Sequence, residues 1–143
     1  MNASSAAVSG AAAFTWLGMV LAVSFLEAPL KFRAPGVTVP LGLGIGRLVF
    51  RALNLVEAVL AVVVVVAVAT GSPDVSVTVC TVSVVVLPAV QLAAVRPVLN
   101  RRSDRVLAGA ELPRSRAHLV YIGLELLKTV GLIALGTAAL AAA

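Results

Sequence analysis

Gly46-Arg-Leu-Val-Phe-Arg-Ala-Leu-Asn-Leu-Val-Glu-Ala-Val-Leu-Ala-Val-Val-Val-Val-Val-Ala-Val-Ala69 is apolar almost without a break, and its run from Val62 to Val66 is pure valine. In a helix each residue rises about 1.5 Å, so about 20 such residues cross a hydrocarbon core of about 30 Å. Three more runs meet or nearly meet that test, from about Ala7 to Ala28, Val75 to Val95 and Ala117 to Ala141. Together they predict an all-α protein, a four-helix transmembrane bundle. It forms a single integral membrane domain over 1–143, with helices at about 7–28, 46–69, 75–95 and 117–141.

Composition agrees with a membrane class. The hydrophobic fraction is 61% and the charged fraction 12%. An ordinary soluble domain is about 45–50% apolar and about 25% charged. A soluble chain of this size has no means of hiding so much apolar surface. The net charge is +5. Most basic residues flank the apolar runs and aromatic residues are few, which argues against nucleic acid. Contact with anionic lipid head groups is the better reading. Arginine outnumbers lysine, and Ala and Val dominate, a composition with the look of a GC-rich bacterial genome.

The third run alternates, Val75-Ser-Val-Thr-Val-Cys-Thr-Val-Ser-Val, with the period of a strand. A lone strand leaves its backbone unpaired in lipid, so a helix is expected here too. Pro88 should kink it or break it locally. The first run has no basic flank and no good small-x-small cleavage site, so it reads as a retained helix rather than a signal peptide. Gly71-Ser-Pro-Asp74 reads as a short turn. The connection from Pro29 to Ile45 holds three prolines and several large apolar residues, so it is expected to lie at the interface.

Lysine and arginine set the expected orientation. Lys31, Arg33, Arg47 and Arg51 belong to the first connection and its edges. Arg96, Arg101, Arg102, Arg105, Arg114 and Arg116 belong to the third. The second connection has none, and neither do the termini. The positive-inside rule then makes the first and third connections cytoplasmic. Both termini are expected outside, in the inner membrane of a bacterium.

Polar residues within the spans are the candidates for function. An ionisable side chain at a helix centre costs about 2.5–3.5 kcal/mol on insertion scales, so it faces the interior and finds a partner. The second helix carries Arg47, Arg51, Asn54 and Glu57 within about 120° of one face. The two arginines can snorkel to the interface, whereas Glu57 lies too deep. The fourth carries His118, Tyr121, Glu125 and Lys128 in steps of three, four and three, one stripe about 80° wide. Glu125 and Lys128 can pair along the helix, or Lys128 can reach Glu57. Glu27 and Gln91 fall near the same depth, so one polar cluster is expected in the cytoplasmic half.

Two readings of that cluster compete. It binds a small solute, ion or proton, or it is packing glue in a structural or accessory subunit. A membrane-embedded enzyme acting on a lipid or quinone is a third. No Glu-x-x-His pair is present and there is one histidine, so neither a di-iron site nor a bis-His haem is expected. Cys80 alone makes neither a disulfide nor a zinc site. Leu41-Gly-Leu-Gly-Ile-Gly46 departs from the dinucleotide fingerprint, with Arg47 where the third glycine belongs. No catalytic triad and no cofactor are expected. Gly131, Gly136, Ala138 and Ala142 allow close helix packing or a homo-oligomer.

Ala28-Pro-Leu-Lys-Phe32 ends the first helix, and Gly46-Arg-Leu-Val-Phe50 opens the second. With the basic connection before helix four, this resembles the small four-helix membrane proteins of the transmembrane protein 205 type and their bacterial relatives. The likeness covers about the first 55 residues and the general layout. It implies a four-helix membrane fold and little about activity. Arg51, Asn54, Glu57 and the stripe from Tyr121 to Lys128 do not belong to the matched motifs.

Overall fold

A computed structural model describes residues 1–113 and 115–143. Arg114, one of the basic residues of the third connection, lies outside the described residues. Among those described, four helices are long and apolar enough to cross a membrane. They are α1 (Ala3–Arg33), α2 (Val39–Thr70), α3 (Val75–Leu107) and α4 (Arg116–Ala141). The chain is thus an all-α, multi-pass membrane protein.

Side chains at the helix starts explain where each begins. Asn2, Thr38, Asp74 and Ser115 all have extended backbones, and each side chain accepts a backbone N–H of the first turn. At the other end of α3, Gly109 takes a positive φ of 94°, and the Ala110 N–H reaches back to the Arg105 carbonyl. That is a Schellman closure, which a residue with a Cβ makes less readily.

The helices extend further than the apolar runs. The expected connection from Pro29 to Ile45 is mostly helix, because α1 continues to Arg33 and α2 begins at Val39. The prolines permit this. Pro40 lies in the first turn of α2, where a missing N–H costs nothing, and Pro35 lies in the short link. The third connection is also helical as far as Leu107. Hydropathy stops at Val95, but Arg96 to Leu107 is amphipathic and continues the helix into the polar zone.

The alternating stretch is helical, as the backbone argument requires. Two of its hydroxyls bond back to their own helix: Thr78 donates to the Asp74 carbonyl at 2.8 Å and Ser83 to the Val79 carbonyl at 2.8 Å. Two π-helical turns interrupt the bundle, Leu21–Glu27 in α1 and Gln91–Val95 in α3. Each ends two residues before a proline, Pro29 or Pro97. A proline ring collides with the carbonyl four residues back, and widening the helix relieves it. The Ala28 N–H accordingly bonds to the Val23 carbonyl, and the Arg96 N–H to that of Gln91, each five residues back.

The helices form a ring in chain order, closed by α1 against α4. The α2–α3 side is the most loosely packed of the four sides. Ala13, Trp16 and Val20 of α1, Val64 of α2, Val77 and Val84 of α3, and Leu132 and Leu135 of α4 fill the core. Gly136 lets the Phe14 ring lie against the α4 backbone, where a Cβ would come within 2.7 Å of it. The outer surface is apolar, as lipid requires; Leu48 and Val75 are more than two thirds exposed.

Asp74 links the α3 cap to pH. The Val77 backbone N–H, then the Ser76 hydroxyl, hold its carboxyl below the usual carboxylate range. A depressed folded value adds stability above the unfolded value, about 3.9, and loses it as pH falls through the folded one. Asp74→Asn, which still accepts a hydrogen bond, should remove that acid-sensitive contribution. Asp74→Ala should lower thermal stability at neutral pH as well. Melting curves in detergent at acid and neutral pH check both.

Candidate functional site

Six buried or half-buried side chains from all four helices meet in one hydrogen-bonded network. Glu57 of α2 accepts the Trp16 indole N–H from α1 at 2.9 Å, and the Lys128 ammonium from α4 at 2.7 Å, both at Oε1. Lys128 also lies 2.8 Å from Glu125 Oε1, three residues earlier on α4. The Gln91 amide of α3 donates to that same Oε1 at 2.7 Å. The Ser24 hydroxyl of α1 meets Glu125 Oε2 at 2.6 Å. Lys128 and Glu125 are each only 1% exposed.

The register of the helices brings these groups to one depth. Trp16, Glu57 and Lys128 each lie thirteen residues from a helix end, at Ala3, Thr70 and Ala141, about 20 Å along the axis. That is about two thirds of the way across a 30 Å core, in the half nearer the arginines. The π turns aim two of the ligands. Ser24 lies within the turn of α1 and Gln91 opens that of α3, and both bind Glu125. Such turns recur at functional sites because one extra residue re-aims a side chain without ending the helix.

The electrostatics are unbalanced. Two carboxylates share one ammonium, so the trio carries one surplus negative charge when all three are ionised. In an apolar interior an unpaired charge is far more costly than a paired one. A proton on either carboxyl, or a bound cation, removes the surplus.

A second layer lies toward the basic end. The Phe50 and Tyr121 rings meet edge to face at 5.8 Å. The Arg96 guanidinium sits 4.5 Å from the Phe50 centroid and 5.3 Å from that of Tyr121. Lys31 lies 5.9 Å from Phe50 and 3.5 Å from the Glu27 carboxylate. Tyr121 and Glu27 therefore belong to a cation–aromatic layer rather than to the ion network.

Of the residues expected in one cluster, Glu57, Gln91, Glu125 and Lys128 come together. Asn54 is half-buried and faces a groove beside the arginines. His118 is exposed and joins neither layer; it lies in the first turn of α4, at the basic end of the stripe. Of the basic edge, Arg47 pairs with Asp104 at 2.6 Å, while Arg51, Arg101 and Arg105 are exposed and Arg102 is half-buried. Among the described residues no three metal-ligating side chains converge. Sequence reasoning missed Trp16, Ser24 and Phe50. Trp16 had a usable signal, since a buried indole N–H requires an acceptor. Ser24 had none without the π turn.

The charge count predicts an asymmetry. Glu57→Gln or Glu125→Gln leaves one neutral ion pair and resembles a protonated carboxyl, so each should cost about 1 kcal/mol or less. Lys128→Met strands two carboxylates and should cost about 3–5 kcal/mol at neutral pH. Acid should recover part of that loss, because a protonated carboxyl has no need of the ammonium. Unfolding by denaturing detergent, at neutral and acid pH, measures the difference. Comparison with protein-family models, with curated proteins and with solved structures finds no match to this chain.

Proposed function

We propose that this is a small non-enzymatic membrane protein whose buried Glu57–Lys128–Glu125 trio binds a proton or small cation. The observation that carries the reading is the surplus carboxylate. Two acidic groups 2.7 and 2.8 Å from a single ammonium form a site that is electrically complete only when one more positive charge arrives. Intramembrane ionisable groups commonly mark ion sites and proton relays. The trio lies in the half of the bundle nearer the basic end, and the next layer in that direction holds Tyr121, Arg96, Glu27 and Lys31. Exchange is therefore assigned to that side. Conduction across the whole membrane calls for a homo-oligomer or a membrane partner, because four helices this closely packed leave no wide path.

The arginine distribution supports a bacterial cytoplasmic membrane with the basic end inside and both termini outside. The likeness of the first 55 residues to the transmembrane protein 205 type fits the same four-helix layout and assigns no activity.

A second reading has its own support. Every helix donates to or accepts from the network, and this is what register-fixing glue in a structural or accessory subunit also requires.

Trp16 distinguishes the two. It is the chain's one tryptophan, and its indole donates directly to Glu57. If the trio takes up a proton or cation, Trp16 emission should change with pH, or on adding monovalent cations at fixed pH. Glu57→Gln and Glu125→Gln should each abolish the change while remaining folded. Emission that ignores both pH and cations, with variants that differ only in stability, assigns the network to structure alone.

A further inference from the structure

The loosely packed α2–α3 side opens at its basic end into a groove of about 730 Å³. Its walls are two short polar stripes. Arg47, Arg51 and Asn54 stand at helical spacing on α2, and Arg96 and Asn100 do so on α3. Leu48, 71% exposed, and Leu92, about one turn deeper than Arg96, add apolar surface to the groove's walls, and Leu107 does so at the polar end of α3. Three arginines thus line one groove between two helices, at the basic end of the bundle.

Their partners within the chain do not balance them. Arg47 has Asp104 at 2.6 Å, on the exposed side. Arg51 is exposed and makes no ion pair among the described residues. The Arg96 guanidinium lies beside the Phe50 and Tyr121 rings, while its Nε and Nη2 atoms are buried and have no hydrogen-bond acceptor within the chain. Buried guanidinium donors without an acceptor are costly, and their planar fork suits a phosphate oxygen pair. Asn54 and Asn100 add neutral donors beside it.

We propose that this groove binds the phosphate of an anionic phospholipid, with an acyl chain lying along Leu48 and Leu92. A free phosphate ion would use the same donors but would leave that apolar surface uncovered. Basic pockets between transmembrane helices favour anionic head groups for this reason. The site is separate from the buried trio and does not depend on its role.

Native mass spectrometry and thermal melting of delipidated protein in neutral detergent test the assignment. The probes are phosphatidylglycerol, phosphatidylcholine and inorganic phosphate. Phosphatidylglycerol should form a retained one-lipid adduct and raise the melting temperature, with the other two giving neither. Arg51→Gln combined with Arg96→Lys should weaken the adduct roughly tenfold or more. Arg51→Gln with Asn54→Leu changes only groove residues that are not in the aromatic stack, and should also weaken it if the first variant fails to fold. Arg101→Gln with Arg105→Gln removes two exposed charges from the same helix end and should leave the adduct intact. A control variant that weakens binding as much as the groove variants overturns the site, leaving only diffuse attraction. Equal stabilisation by inorganic phosphate, or equal adducts with phosphatidylcholine, overturns the anionic lipid as its occupant. Absence of any retained adduct overturns it as well.

Discussion

The Lys128 ammonium lies 2.7 Å from Glu57 and 2.8 Å from Glu125, almost wholly out of solvent. Much of the bundle's interior follows from satisfying those three groups. Glu57 belongs to α2, and Glu125 and Lys128 to α4, so the contact ties together two helices that are not neighbours in the ring. Trp16 completes Glu57 from α1, and Gln91 completes Glu125 from α3. Van der Waals packing of Ala, Val and Leu holds helices together without choosing their rotation, because lipid tails are equally good neighbours. The ion network supplies the choice. A helix turned or shifted by one residue would leave a charge unpaired.

Helix irregularity serves the same centre. The π turns before Pro29 and Pro97 relieve a steric conflict that each proline creates. They also place Ser24 and Gln91 on the two oxygens of Glu125. The aromatic layer of Phe50 and Tyr121 separates this network from the arginines. Arg96 stacks on that layer from one side, so a guanidinium and a buried carboxylate cluster lie close in depth while facing different environments. Arg47 and Arg51 line the α2–α3 groove, on the side of the bundle where packing is weakest.

Much of the architecture was legible in the residues. Four apolar runs and the impossibility of a lone strand in lipid were enough for four helices, the alternating Val75 stretch included. The narrow stripe on α4 pointed to Glu125 and Lys128 as inward-facing, and the depth of Glu57 marked it as needing a partner. The stripe was also misleading at its ends. His118 continues the spacing but is exposed, because the helix has already reached the basic end of the bundle there. Tyr121 faces inward, but into the aromatic layer. Helix ends were misjudged where hydropathy fell, since Arg96 to Leu107 stays helical on backbone hydrogen bonds that hydropathy does not register.

By itself, then, the sequence determined the class, the number of spans and which residues were too polar to face lipid. These depend on local energies, the transfer cost of each side chain and the backbone's need for internal hydrogen bonds, and such terms can be read one segment at a time. Only the tertiary structure decided that Lys128 serves two carboxylates, that Trp16 and Ser24 complete them, and that Arg96 turns to the aromatic rings. Those choices depend on the relative rotation and register of four separate helices. A difference of one residue along any of them changes which partner is in reach, and no single segment carries that information.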